Sequence, residues 1–156
     1  MSSLHMRARG WSLRSSVFAV LLAASTAVAD EKINKDTEGV AILGYDTVAY
    51  FTDGRPIKGS PDFEYVWQDA RWRFASAEHK ILFVSSPDHY APQFGGFCTG
   101  GIGFGRLVPI NPDAWVIVED RLYLHYDKGG RDETAADPKA HITAAAEQWR
   151  VLGKTP

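Results

Sequence analysis

The chain has 156 residues, with 17 Lys and Arg against 19 Asp and Glu, one cysteine and two methionines. Cys98 alone excludes an intramolecular disulfide, and Met1 and Met6 at the N-terminus exclude a Met-rich thioether site in the body of the protein. Residues 30–156 hold 14 basic and 19 acidic residues with no concentrated basic patch, which excludes nucleic acid and anionic membrane as favoured partners. Arg7, Arg9 and Arg14 precede a short apolar run, Val17 to Ala24, and Ala27-Val28-Ala29 supplies the small-x-small pattern read by a signal peptidase. Residues 1–29 are therefore predicted to be a cleaved secretory signal, with the mature chain in the periplasm or outside the cell. The run falls short of the ~20 residues of a membrane-crossing helix, and no second one follows, so no membrane span is expected. No Arg-Arg pair precedes it, so any cofactor is expected to be acquired after export.

Residues 30–39 are charged and without apolar period and read as a flexible lead-in. The predicted domain, 40–153, opens at Val40 to Phe51, where Val40, Ile42, Leu43, Tyr45, Val48, Tyr50 and Phe51 supply the first core contacts. Phe63, Tyr65 and Trp67 alternate, and the alternation resumes at Trp72 and Phe74 after a polar break, which predicts an antiparallel hairpin. Ser76 is suited to cap a helix that turns Leu82 and Phe83 to the core, and Ser86-Pro87-Asp88 starts another helical turn. A second hairpin is predicted over Trp115 to Tyr126. Asp137-Pro138 then opens an amphipathic closing helix in which Ile142, Ala145, Trp149 and Leu152 recur at three- and four-residue spacing. Two hairpins separated by helical turns predict a single α+β domain.

Six glycines lie between Gly95 and Gly105, surrounding Cys98. Two readings follow: a loop that presents the thiol or bare amides to a ligand, or a Gly-Gly step that lets the chain pass beneath an aromatic with Cys98 as a small buried hydrophobe. The histidines at 79, 89, 125 and 141 lack the His-x-x-x-His spacing, so a metal site has to be assembled from distant segments, with Cys98, His89 and His125 as the candidate set. Such a Cys-His set suits copper or a similar transition ion. Cys98 paired with a histidine would also serve as a nucleophile, but no accompanying motif supports an enzyme. Asp46 either places an acid near the same site or caps a helical turn carrying Val48 and Phe51.

Four segments, Gly44-Tyr45-Asp46-Thr47-Val48-Ala49-Tyr50-Phe51, Trp72-Arg73-Phe74-Ala75-Ser76-Ala77-Glu78, Pro87 to Cys98, and Asn111-Pro112-Asp113-Ala114-Trp115 with Leu122-Tyr123-Leu124, together resemble the exported branch of the YHS-domain family. The resemblance implies a small α+β domain associated with transition-metal handling, in which Tyr45, Asp46, Gly95, Gly96 and Cys98 fall on the matching motifs. Cysteines of the metal-linked members have no counterpart at Val40 to Tyr45 or at Phe74-Ala75-Ser76, which leaves Cys98 as the matched ligand. The leading expectation is thus a non-enzymatic metal-binding accessory protein that takes a transition-metal ion such as copper through Cys98, His89 and His125. The alternative is a module that binds an exported partner protein or small ligand without metal, with Cys98 buried.

Overall fold

A computed structural model describes residues 32–154, so the predicted signal at 1–29 lies outside the described residues. The elements are α1 (Ala49–Thr52), β1 (Ser60–Trp67), β2 (Ala70–Phe74), α2 (Ala77–Ser85), α3 (Pro87–Tyr90), α4 (Thr99–Gly103), β3 (Asn111–Val118), β4 (Arg121–His125), α5 (Lys128–Ala136) and α6 (Pro138–Leu152). Strands β1 and β2 form one antiparallel hairpin and β3 and β4 a second, which makes the α+β class plain. No helix among the described residues is long and apolar enough to cross a membrane.

Period-two alternation positions both hairpins. In β2 the side chains of Ala70, Trp72 and Phe74 are buried, while Arg71 and Arg73 point away and meet Glu64 on β1. In β4 the alternation places Leu122 and Leu124 in the main core, but Tyr123 and His125 on its other face are buried as well, because helices cover that side. The main core joins Ile42, Val48, Tyr50, Trp72, Phe74, Phe83 and Cys98 to Leu122 and Leu124. A smaller one gathers Ile102 of α4 with Ala145 and Trp149 of α6. The helix caps are those the sequence predicts: Ser76 accepts the His79 amide at 3.2 Å and Asp137 the Ala140 amide at 3.1 Å. Leu43 and Leu82, expected inside, are 46% and 36% exposed, since each lies on the outer side of its turn.

The lead-in departs from expectation. Residues 32–39 are not a loose tail, because Lys32 N–H donates to Gly153 O, Asn34 N–H to Gly95 O, and Ile42 N–H to Asn34 O. Asn34 Nδ2 adds a bond of 2.9 Å to Gly96 O. The packed structure therefore includes the predicted lead-in from at least Lys32 onward. What makes room for this segment is Gly95-Gly96, both at positive φ. A Cβ at Gly95 would overlap the Lys32 carbonyl oxygen, and one at Gly96 would overlap the Ile42 side chain. Ile42 itself, β-branched and buried, sits at φ 51°, a conformation that costs on the order of 1–3 kcal/mol and is held by the surrounding bonds.

Gly54 offers the contrasting case, with φ +65° and nothing near its missing Cβ. Gly54→Ala is expected to cost about 1 kcal/mol of backbone strain. Gly95→Ala adds a collision with main chain and is expected to cost more than about 3 kcal/mol in urea unfolding. Equal losses at the two positions would refute the crossing as the reason for Gly95.

Candidate functional site

Cys98 is the N-cap of α4, 6% exposed, and its Sγ accepts the Gly101 amide at 3.5 Å. Its thiol thus packs in the main core and closes a helical turn. His89 lies elsewhere, on α3, where its ring lies 5.0 Å from that of Phe51 and its Nδ1 is 3.5 Å from Asp120. His125 is fully buried on the helix-covered face of β4. The structure does not gather Cys98, His89 and His125 into a ligand set, and no group of three or more His, Cys, Asp or Glu suited to a metal occurs among the described residues.

The other matched positions take structural places. Tyr45 is half-buried with Lys58 Nζ over its ring at 4.7 Å, and Gly95 and Gly96 are the crossing described above. Asp46 is fully buried and caps α1: Oδ1 accepts the amides of Val48 at 2.9 Å and Ala49 at 3.3 Å. Its Oδ2 accepts the Ala75 amide at 2.8 Å and meets His79 Nδ1 at 2.6 Å.

The glycine-rich stretch has a different consequence from the one expected of an open loop. Residues 99–103 form the short helix α4, which lies against α6 so closely that a Cβ on Gly103 would stand 3.7 Å from that of Ala144. Where α4, α5 and α6 diverge, a hollow of about 250 Å³ opens, walled by Thr99, Gly100, Gly103, Phe104, Glu133 and His141. Gly130 of α5 forms part of the same wall. Phe104 is 85% exposed, an aromatic left in solvent at the rim.

Behind Gly130 stands His125. A Cβ at Gly130 would be 3.7 Å from Asp127 Oδ1 and 3.8 Å from His125 Nδ1, so the ring lies close to the α5 backbone that forms part of the hollow's wall. Neither ring nitrogen has a hydrogen-bond partner among the described residues, and the buried Thr134 Oγ1 on the same helix lacks one too. An unpaired buried polar atom costs about 1–3 kcal/mol. Burial, followed by the positive charges of Arg131 and His141 and against the pull of Asp127, lowers the His125 pKa to about 4.

Sequence reasoning named His125 but as a metal ligand, and did not single out Phe104, Glu133 or His141. A usable signal was present in the small residues of the two helices, with Gly103 of α4 set against Ala144 of α6. Because the folded pKa of His125 lies below its unfolded value near 6.5, the unfolded chain binds the extra proton first. The stabilisation is present above about pH 6.5 and is lost as pH falls toward 4, to a total of about 3 kcal/mol. From pH 7.5 to 5 the wild type is expected to lose about 2 kcal/mol more unfolding free energy than His125→Asn. Parallel pH dependences would contradict a buried neutral imidazole.

Comparisons with protein-family models, curated proteins and solved structures find no match to this chain.

Proposed function

We propose that this protein is an exported YHS-type domain that binds a small, largely apolar ligand between α4, α5 and α6, acting as a binding module in which Cys98 is structural. The observation that carries this reading is the hollow of about 250 Å³ beside a fully buried histidine whose ring has no hydrogen-bond partner among the described residues. An apolar cavity of ~150 Å³ holds benzene, so this volume suits a molecule of one or two rings. Apolar walls supply affinity, and the few polar groups fix orientation. Phe104 is placed to cover such a ring. Glu133 and His141 at the wall favour a ligand with a polar edge, and His125 offers a neutral imidazole at the inner end.

The alternative of a transition-metal carrier required Cys98, His89 and His125 to meet, and their separate surroundings favour the metal-free reading. Wider and more open depressions of about 470 Å³ also lie along α6.

Saturation-transfer NMR with indole as the probe tests the reading on the mature protein, with Ala144→Leu to fill the hollow and Phe104→Ala to strip its rim. Indole is expected to bind the wild type in the presence of EDTA, and at least tenfold more weakly to Ala144→Leu. Binding unchanged by Ala144→Leu, or abolished by EDTA, would overturn it.

A further inference from the structure

Away from the hollow, a second cluster joins the end of α1 to the start of α2. Asp46 is fully buried and fixed by three backbone amides, so its Oδ2, 2.6 Å from His79 Nδ1, has one orientation. A carboxylate on Nδ1 places the ring proton there and leaves the Nε2 lone pair facing outward. Nε2 lies 3.2 Å from Thr52 Oγ1, on the last residue of α1. Thr52 is exposed, and the His79 side chain keeps 16% of its surface, so a reagent can reach the pair.

The hydroxyl has one proton and three acceptors around it: His79 Nε2, Val48 O at 3.2 Å and Asp53 Oδ2 at 2.6 Å. Asp53 Oδ2 is also 3.5 Å from Nε2, where it would stabilise the imidazolium formed by proton transfer. The fold accounts for the Asp46 end of this chain, because Asp46 ties α1 to β2 and α2. It does not call for Thr52, whose side chain is outside both cores.

We propose that Thr52, His79 and Asp46 form a nucleophile, base and orienting acid that make Thr52 an acyl-acceptor site. In the step, Thr52 Oγ bonds to the carbonyl carbon of an ester and its proton passes to His79 Nε2. The bond from that carbon to the leaving oxygen then breaks, and the leaving group takes the proton from the imidazolium. The product is an O-acyl threonine and a free alcohol. The two neighbouring carboxylates, Asp46 and Asp53, favour neutral or cationic acyl donors over anionic ones.

The mature protein is treated with p-nitrophenyl acetate at pH 8, and acetylation is mapped by peptide mass spectrometry. Thr143, exposed on α6, serves as an internal reference for an ordinary threonine. Thr52 is expected to acetylate at least tenfold faster than Thr143, and His79→Gln to remove the difference. Comparison within the wild type needs no variant to fold. Equal rates at Thr52 and Thr143, or a fast Thr52 that survives in folded His79→Gln, would overturn the proposal.

Discussion

The buried carboxylate of Asp46 is the interaction on which the arrangement of the first half of the domain depends. A charge at zero exposure persists only when its lone pairs are filled, and here the amides of Val48 and Ala49 at the start of α1, one amide beyond β2 and an imidazole from α2 do so. Each charge-assisted bond contributes about 2 kcal/mol, and losing the acceptor would strand three amides, two of them buried. This one side chain sets the first helical turn, the end of the first hairpin and the rotation of α2. Phe83 then meets Trp72 and Phe74 with ring centroids 5.0 Å apart. The same constraint aims His79 outward at Thr52, so scaffold and reactive group share a cause.

The second half is organised by absence of side chains. Gly95 and Gly96 admit the N-terminal segment, and Gly101 lets α4 settle against Val108. Cys98 fits that economy as a small hydrophobe whose sulfur also caps the helix. Strain at Ile42 and Phe94, both at positive φ, is held in place where these close approaches meet. The hollow beside α4 follows from the same packing, because helices that touch through glycine and alanine diverge around larger neighbours.

The hairpins and the closing helix were legible because their signals are local: alternation at Tyr65, Trp67, Trp72 and Phe74, and Asp137-Pro138 ahead of a 3.6-residue period. Asp46 as a helix cap was legible on the same ground. Helix α4 was not, since five residues with three glycines carry no helical propensity and owe their form to tertiary packing. Helix α5 was missed although Asp127 caps it, because Gly129 and Gly130 mask its start. The anchoring of residues 32–39 depends on partners about sixty and one hundred and twenty positions away, which composition does not encode. For the site, residue type singled out Cys98 and the histidines, but their grouping required the fold. His125 faces the helices and not the thiol, and His79 found a partner that no spacing rule connects to it.

The protein combines one scaffold with two separate chemical features, a hollow between α4, α5 and α6 with a buried imidazole near its α5 wall, and an oriented imidazole at an exposed hydroxyl. Both derive from histidines whose ring nitrogens are decided by burial or by a fixed partner. The most direct test of this account is long-range proton–nitrogen NMR on histidine-labelled protein. It predicts that His79 carries a slowly exchanging, strongly downfield proton on Nδ1 that disappears in Asp46→Asn. A His79 ring with Nδ1 unprotonated, or one averaging between tautomers, would contradict it.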